Sequence, residues 1–493
     1  MSRRFPPRIR AVARWLLLLA ATVATWAPIL WLEALASPSI PGALRHAEFL
    51  AAGGGAIPAE EDGWSPVSLP DDWRRRRPGV REGWYRIAFR LEPDGEPRSA
   101  LFLPVVMMNA AVYLNGELVG DGGRFEEPVA RNLNRPLLFP LPPAELAPGD
   151  NTLHVRVKAD VEDGGFLPAL HVGSFRELEP FYYRADFIRE TLIWILIVYR
   201  LVLATFTAAI WAMWRKEGYY GWFTLCAVAW CLAEANLIVV EPPVSTAVWY
   251  WLFNVAIGWW GIFAVRLVLS FIGGSNPRAE RALMVCGAVG SIILGILAVT
   301  DSPYFIPLGV NLWLTLAFVG SCTMFRGVVP RLRRHPDQIE LNVVFVVALS
   351  VIGCVLYDLV MQLGLRPRGG ISAPVYGSLV AVGGMGWVLV RRFVGALRES
   401  RALVMTLESR VREKHAELEA SYRRIGEVDR ARTLSEERER IMSDMNDGLG
   451  AHLVSTLAMV ERPDARAEEL QQSVRAALDD LRLMIDSLDP SEG

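Results

Sequence analysis

Two neighbouring polar residues near the end of the chain, Asn446 and Asp447, are the first candidates for chemistry. An imidazole nitrogen at the first position could attack a γ-phosphate and hold the phosphoryl group. The lone pair of a carboxamide nitrogen is delocalised into its carbonyl, so Asn446 cannot attack a phosphate or hold a phosphoryl group. His452 is no substitute, because six positions along a helix turn a side chain by roughly 240°. The sequence therefore predicts that this segment cannot carry a phosphoryl group.

The glycines that follow supply no nucleotide site. The segment Asp447-Gly448-Leu449-Gly450 resembles a glycine-rich phosphate loop, but it lacks the strand that precedes such a loop. No Walker motif occurs elsewhere in the sequence. We therefore find no recognised site for ATP.

Three ionisable residues, Arg200, Glu234 and Asp358, lie inside long apolar stretches. A charge in the middle of a bilayer costs about 3 kcal/mol even on permissive insertion scales, so each of them needs a partner. We expect Arg200 to pair with Glu234 or with Asp358. Such a pair either fixes helix packing or forms a switch element or an intramembrane ligand site.

The apolar stretches that hold these charges dominate the middle of the chain. The protein has 493 residues, of which 52% are hydrophobic, and its net charge of −2 gives no reason to expect nucleic-acid binding. Seven runs are each long enough to cross a bilayer as a helix: 188–214, 219–240, 246–272, 280–300, 304–326, 339–363 and 372–394. All five cysteines lie in these runs, where we expect small buried hydrophobes rather than a disulfide or metal site.

The loops between the runs predict the orientation. Basic residues cluster at Arg215-Lys216, at Arg278 and Arg281, at 326–334 and at Arg391-Arg392, whereas loops 239–245 and 300–304 have none. Only Arg366 and Arg368 oppose this pattern. The positive-inside rule then places residues 37–184 outside a bacterial cytoplasmic membrane and the C-terminal tail in the cytoplasm.

Residues 1–36 combine a basic start with an apolar run and small residues before Ser37. These features are typical of a cleavable signal peptide. The run is also nearly long enough for an uncleaved membrane anchor. Both interpretations remain open.

Residues 37–184 predict an all-β sandwich. Short runs rich in β-branched and aromatic residues (83–91, 100–106, 111–114 and 152–157) alternate with turn residues. Asn115-Gly116 predicts a hairpin in which both residues adopt positive φ. The segments 69–73, 83–86, 112–116 and 149–157 resemble the galactose-binding-like jelly rolls of carbohydrate-binding proteins. The resemblance implies that Trp73, Trp84 and Tyr85 could stack on a sugar, the alternative being packing inside the sandwich.

The sequence of the C-terminal tail predicts two helical parts. In residues 395–433, Leu397, Val404, Val411, Leu418 and Ile425 recur every seven positions, which indicates a weak coiled coil. In residues 434–493, two apolar stripes flank Arg462-Pro463-Asp464 and predict a helical hairpin. A hairpin cannot bury both stripes alone, and dimerisation into a four-helix bundle would do so.

The whole chain resembles bacterial seven-transmembrane receptors with diverse intracellular signalling modules. Its hairpin resembles the dimerisation and phosphoacceptor helices of sensor histidine kinases, on these matches: Glu437, Arg438, Arg440, Ile441, Asp444, Asp447, Leu449, Gly450 and residues 481–490. The resemblance implies that Asn446 stands at the phosphoacceptor position, Asp447 at the general-base position and Ala451 at the phosphatase position. In that family an ATP-binding domain would follow Gly493. We therefore expect no intact catalytic residue and no cofactor in this chain, with ATP belonging only to an intact kinase partner.

These expectations make the chain a multidomain membrane protein that senses and signals in the two-component manner. Its partners would be a second copy or an intact sensor kinase, a response regulator, a carbohydrate-like ligand outside and membrane lipid. The alternative is a genuine histidine kinase that is split, truncated or working with an intact partner. A transporter is a third interpretation, but the sequence has no internal repeats or paired broken helices.

Overall fold

The computed structural model describes residues 7–36, 40, 42–91, 99–159, 164–215, 217–274, 277–300, 302, 305–362, 365, 368–462 and 466–488. The chain divides into two compact units, Met1–Arg392 and Phe393–Gly493. The first unit contains all of the described strands and most of the helices. The second is entirely helical in its described part.

The described strands all lie between residues 43 and 174. They are β1 (Ala43–Leu44), β2 (His46–Leu50), β3 (Ser65–Ser68), β4 (Asp71–Asp72), β5 (Glu82–Leu91), β6 (Ser99–Leu103), β7 (Asn109–Leu114), β8 (Glu117–Asp121), β9 (Leu137–Leu141), β10 (Gly149–Lys158), β11 (Phe166–Leu167) and β12 (Leu170–Ser174). We call this part of the protein the β module. The strands predicted in residues 37–184 are present, but the segment also contains a four-residue helix, Trp73–Arg76, and the beginning of a helix at Phe175.

Two antiparallel sheets of the β module share one hydrophobic core. The six-stranded sheet has the order β3-β2-β5-β10-β7-β8, and the four-stranded sheet has the order β1-β12-β6-β9. Along β10 the residues alternate between buried and half-buried, so that Val155 and Val157 enter the core while His154 and Arg156 lie on the outer face. Leu101 and Phe139 of the other sheet complete the same core.

The hairpin predicted at Asn115-Gly116 is confirmed. Asn115 has a φ of 50° and Gly116 a φ of 103°, as a two-residue turn between right-twisted strands requires. This turn joins β7 to β8, and Leu114 pairs with Glu117.

Helices account for most of the remaining described residues. They are α1 (Pro7–Ala24), α2 (Ala27–Ala36), α3 (Trp73–Arg76), α4 (Phe175–Asp186), α5 (Leu192–Met213), α6 (Gly218–Ile238), α7 (Thr246–Phe271), α8 (Pro277–Val299), α9 (Phe305–Arg334), α10 (Ile339–Gln362), α11 (Ala373–Val460) and α12 (Ala467–Leu488). A π-helical turn, Phe187–Thr191, joins α4 to α5.

Seven stretches of the described helices are long and apolar enough to cross a membrane, which indicates a multi-pass membrane protein. They are Val12–Ala36, Phe175–Met213, Gly218–Ile238, Thr246–Phe271, Pro277–Val299, Ile339–Met361 and part of Ala373–Val460. The number equals the sequence prediction, but the membership differs. The N-terminal run is included, whereas α9, which covers the predicted run 304–326, is not among the seven.

The N-terminal helices are integral to the first unit. Arg14 of α1 donates to Asn342 Oδ1 of α10 (2.6 Å), and Thr25 and Ser350 share a hydrogen bond of 2.9 Å between their hydroxyls. Ile29 and Ala36 of α2 are only 3% and 1% exposed.

The cysteines only partly follow the expectation of burial. Cys231 and Cys354 are buried and Cys226 is half-buried, but Cys286 and Cys322 are exposed on the outside of the helices. The reason is that the exposed surface of a membrane-spanning helix faces hydrocarbon, so an apolar residue gains nothing by pointing inward.

In the second unit, residues 401–440 of α11 are exposed throughout. The residues of the predicted coiled-coil seam are 38–61% exposed: Leu397, Val404, Val411, Leu418 and Ile425. Further along, the Oγ atoms of Thr456 and Ser473 lie 2.9 Å apart, so α11 and α12 pack against each other as a hairpin.

Candidate functional site

The strongest polar site inside the first unit is built around Arg200 of α5, whose side chain is fully buried. One guanidinium nitrogen donates to the Glu234 carboxylate of α6. The other donates to the Ser378 hydroxyl of α11 and, at 3.3 Å, to the Val375 carbonyl. A single arginine therefore joins three helices.

The second carboxylate oxygen of Glu234 is also satisfied. The indole of Trp230, one turn earlier on α6, donates to Glu234 Oε1 at 2.8 Å. Both carboxylate oxygens and two of the three guanidinium nitrogens are thus hydrogen-bonded, which offsets much of the desolvation of the buried ion pair, while Arg200 Nε has no hydrogen-bond partner. The predicted pairing of Arg200 is therefore resolved in favour of Glu234.

Asp358 has a different role from the one considered for it. Its carboxylate accepts from the Ser372 hydroxyl (2.7 Å) and from the backbone N–H of Ala373 (3.0 Å), the first residue of α11. A carboxylate in this position satisfies an otherwise unpaired N–H and complements the positive end of the helix. Asp358 therefore caps α11 and does not pair with Arg200.

A cavity of about 680 Å³ lies beside the Arg200 pair, between α6, α7, α9, α10 and α11. Trp230 and Ser378 belong both to its wall and to the hydrogen-bond network of the pair. The rest of its lining is almost wholly apolar. This space could not be predicted from the sequence, because apolar periodicity indicates which face of a helix is buried but not how closely two helices pack.

The β module is attached to the helices through charged contacts at the loop between α6 and α7. The Glu127 carboxylate accepts from the backbone N–H of Thr246 (2.5 Å) and from its hydroxyl (2.9 Å), and so caps the start of α7. Arg124 forms an ion pair with Glu241 at 3.8 Å. The β module thereby contacts a loop that the sequence predicts to lie outside.

A third contact in this region, Arg131, was not found from the sequence. Its side chain is 3% exposed, its guanidinium lies 4.4 Å from the centre of the Tyr250 ring, and none of its three nitrogens has a hydrogen-bond partner. A lone arginine in a polar loop carries no periodic or motif signal, so only the structure identifies it.

The two arginines that opposed the positive-inside pattern have separate outcomes. Arg368 lies in the loop before α11 and forms an ion pair with Asp72 of the β module at 3.4 Å. Arg366 is outside the described residues. The charge of Arg368 is therefore used for docking of the β module.

The three aromatic residues considered for sugar stacking, Trp73, Trp84 and Tyr85, are all 0% exposed. None of them presents a ring face to a ligand. All three pack inside the β module, which was the alternative interpretation. The Trp73 indole donates to the Tyr85 hydroxyl (2.5 Å), which donates to the buried Asp71 carboxylate (2.7 Å). Burial, with the negative charge of Asp71, raises the pKa of Tyr85 well above its usual value.

Trp84 is buried although it lies on the outer face of the six-stranded sheet. Residues of the segment between β2 and β3 explain this, because Gly54 bonds to Glu82 (3.2 Å), the Tyr113 hydroxyl bonds to the Gly55 carbonyl (3.4 Å), and the Trp64 ring lies over Arg86. Arg156 and Lys158 donate to Glu82 from the neighbouring strand. Burial alone would raise the pKa of Glu82, but these two hydrogen bonds together with the positive charges of Arg156 and Lys158 outweigh it and lower the pKa.

In the second unit, the three positions singled out by the resemblance to sensor kinases are on the surface. Asn446, Asp447 and Ala451 are all exposed. His452 points instead toward α12, where its Nε2 lies 3.0 Å from the Asp480 carboxylate. His452 is therefore a residue of the seam between the two helices.

Comparison with known proteins identifies no family. No protein-family model matches the sequence, and no curated protein matches it.

Some solved structures match part of the chain. One is a glycosyl hydrolase family 2 member from Bacteroides cellulosilyticus, with 18% identity, a TM-score of 0.21, and coverage of 27% of this chain and 20% of that one. A second is a beta-glucuronidase from Bifidobacterium dentium, with 22% identity, a TM-score of 0.20, and coverage of 24% and 21%. A third is a beta-galacturonidase from Eisenbergiella tayi, with 16% identity, a TM-score of 0.21, and coverage of 27% and 23%. The chain thus spans about a fifth of the length of these enzymes, and similarity at this level carries no functional argument.

Proposed function

We propose that the protein is a transmembrane sensor of the two-component type whose C-terminal hairpin acts by dimerising rather than by transferring phosphate. In this proposal the β module lies outside the bacterial cytoplasmic membrane and the hairpin lies in the cytoplasm. A ligand or partner of the β module would bias the helices, and α11 would carry the change to the hairpin. Such coupling requires two states that the ligand binds unequally.

The observation that carries the proposal is an uncovered apolar face on the hairpin. The contacts between α11 and α12 use His452, Thr456, Ser473 and Asp480. A separate set of large apolar residues remains 42–64% exposed: Leu453, Leu457, Val474, Leu478 and Ile485. Exposed apolar surface of this kind on both helices of a pair is typical of a protein interface.

The predicted transmembrane orientation is supported by the ends of the helices. Arg14 of α1 donates to the Leu332 carbonyl of α9 (3.1 Å), and Arg391 of α11 forms an ion pair with Glu340 of α10 (2.9 Å), so basic residues of two helices contact the neighbouring ends of two others. The β module contacts the loop between α6 and α7 at the other end. This separation favours a cytoplasmic location for the end that leads into the hairpin.

The test of the proposal is the size of the full-length protein in detergent, measured by sedimentation equilibrium over a range of concentrations. We expect a reversible dimer whose dissociation constant rises at least about tenfold in Leu457→Glu and in Leu478→Glu, because each removes apolar contact and buries a carboxylate. Ser455→Glu is the matched control, since it adds the same charge on the other flank of α11. A protein that stays monomeric at every concentration would overturn the proposal.

A phosphorylation assay separates this proposal from a genuine kinase. The purified chain is incubated with labelled ATP and the ATPase domain of an intact sensor kinase. We expect no acid-labile phosphate on the natural chain, because Asn446 cannot hold a phosphoryl group. Labelling of the natural chain would contradict the proposal, and labelling only of Asn446→His would support the assignment of that position.

A further inference from the structure

The cavity between α6, α7, α9, α10 and α11 is bounded by close contacts on two sides. A Cβ on Gly320 of α9 would lie 2.4 Å from the Val265 side chain of α7, and a Cβ on Gly377 of α11 would lie 2.5 Å from the Cys354 sulfur of α10. Glycine is needed at both places because the helices approach too closely for any side chain. The space is therefore enclosed by packed walls at these two junctions.

The wall formed by α9 and α10 is different, because large apolar side chains that line the cavity there are more than half exposed. Phe318 of α9 is 70% exposed and Leu356 of α10 is 55% exposed, and both belong to the lining. Cys322, one turn after Phe318, is likewise exposed and lines the cavity. The cavity thus reaches the outer surface between two helices of the bundle, where a bilayer supplies hydrocarbon rather than water.

The chemistry of the wall selects the occupant. None of the described side chains that line the cavity carries a charge, and Ser378 already bonds to Arg200 and to the Val375 carbonyl. A water molecule needs two to four polar partners, so apolar cavities of this kind stay dry and accept apolar guests. A charged group would have to be desolvated without a partner.

We infer that this cavity is a binding site for the hydrocarbon chain of a bilayer lipid, which enters between α9 and α10. Its volume of about 680 Å³ falls within the range of roughly 300–1,000 Å³ of small-molecule sites. The bound hydrocarbon chain would contact Trp230, which is hydrogen-bonded to Glu234, and Ser378, which is hydrogen-bonded to Arg200. Lipid binding itself does not depend on the proposed sensor function. Only its consequence rests on that function, namely that a lipid in the cavity would shift the Arg200–Glu234 pair and the three helices that the pair joins.

The test uses a phosphatidylethanolamine with a photoactivatable diazirine in one acyl chain, mixed into vesicles of unlabelled phosphatidylethanolamine and phosphatidylglycerol that contain the full-length protein. After illumination, crosslinked residues are identified by mass spectrometry. We expect crosslinks at Ala227 and Val268, which line the cavity but are only 4% and 7% exposed and so cannot touch the surrounding lipid. Crosslinks confined to outward-facing residues such as Val289 and Ile292 would overturn the inference.

A cavity-filling variant supplies the control within the protein. Ala348→Phe places a ring in the cavity, and we expect it to lower the interior crosslinks about tenfold while leaving those at Ile292 unchanged. Ala288→Phe makes the same substitution on the exposed side of α8 and is expected to change neither. A second experiment, with a diazirine alkane added to lipid-free protein in detergent, distinguishes a phospholipid chain from a diffusible apolar molecule as the occupant of the cavity. If the alkane labels the interior and the phospholipid does not, the site takes a diffusible molecule and the inference is wrong.

These outcomes are independent of the dimerisation test. A monomeric protein that still shows interior crosslinks would retain the lipid site and lose the proposed sensor function. A dimer without interior crosslinks would do the reverse.

Discussion

At the scale of single residues, the Arg200–Glu234 pair makes a prediction that separates pairing from simple packing. Arg200→Met leaves the Glu234 carboxylate buried without its partner, and we expect the protein to lose about 3–5 kcal/mol of stability. The double variant Arg200→Met with Glu234→Gln removes both charges and should recover most of that loss. The measurement is the thermal midpoint in detergent for both variants and the wild type. Equal losses in the single and double variants would show that shape, not charge, is what the three helices require.

His171 of the β module makes the stability of the protein depend on pH. Burial and then the positive charge of Arg45 lower the pKa of His171 to about 4, against about 6.5 in an unfolded chain. The unfolded state therefore binds the proton first, and the contribution of neutral His171 to stability is lost as the pH falls from 6.5 toward 4.

We expect this loss to be about 1–3 kcal/mol for the wild type and to be absent in His171→Gln. The loss is measured as the difference between the urea midpoints at pH 7 and pH 4.5, with unfolding of the β module monitored by hydrogen exchange in β12. Comparing the two proteins cancels the titration of every other group. An identical pH dependence in both would show that His171 is protonated in the folded β module.

At the scale of secondary-structure elements, the start of α11 depends on a residue from α10. Asp358→Leu removes the acceptor for the Ala373 N–H, and we expect a cost of about 1–2 kcal/mol and faster hydrogen exchange in the first turn of α11. Asp358→Asn keeps one oxygen acceptor and should cost less. Unchanged exchange in the leucine variant would mean that the helix begins without this cap.

Much of the element order was predictable, since the signals are local. Asn115-Gly116 located a hairpin because few other residues accept positive φ twice in succession. Apolar runs located the helices because spanning a bilayer requires length and hydrophobicity but no specific residue. The apolar stripes of the hairpin were predicted as well, and the structure adds that Leu453 and Leu457 turn away from α12 while His452 turns toward it.

The contacts between elements were not predictable to the same degree. The sequence shows that Arg200 lies near the middle of its apolar run, but it does not show which way α5 is rotated. The sequence alone therefore could not decide whether Arg200 pairs with Glu234 or with Asp358. Trp84 lies at an outward-facing position of β5, and its burial depends on a segment that reaches across the sheet. Arg131 combines both difficulties, because it lies in a loop of the β module and its contact, Tyr250, lies on α7.

At the scale of the whole molecule, the packing of the N-terminal helices leads to a prediction about the two interpretations of the N-terminus. Removal of residues 1–36 would expose the surfaces of α10 and α11 that pack on Trp26 and Ile29, where a Cβ on Gly353 would lie 2.8 Å from the Trp26 ring and one on Gly377 3.5 Å from Ile29. We therefore expect the purified protein to retain this segment as an anchor. The check is the intact mass of the membrane-extracted protein, and a mass that corresponds to a start near Ser37 would contradict the expectation.

The hydrogen bond between Arg14 and Asn342 also has a consequence for how the protein is made. These residues are 328 positions apart, so at about 5–20 residues per second the first helix is synthesised about 15–65 s before its partner on α10. During that interval Arg14 lacks its final partner, and we expect a membrane insertase to contact the N-terminal helix. A ribosome stalled before codon 342 should therefore give a nascent chain in which α1 crosslinks to that insertase, and release of the full chain should abolish the crosslink.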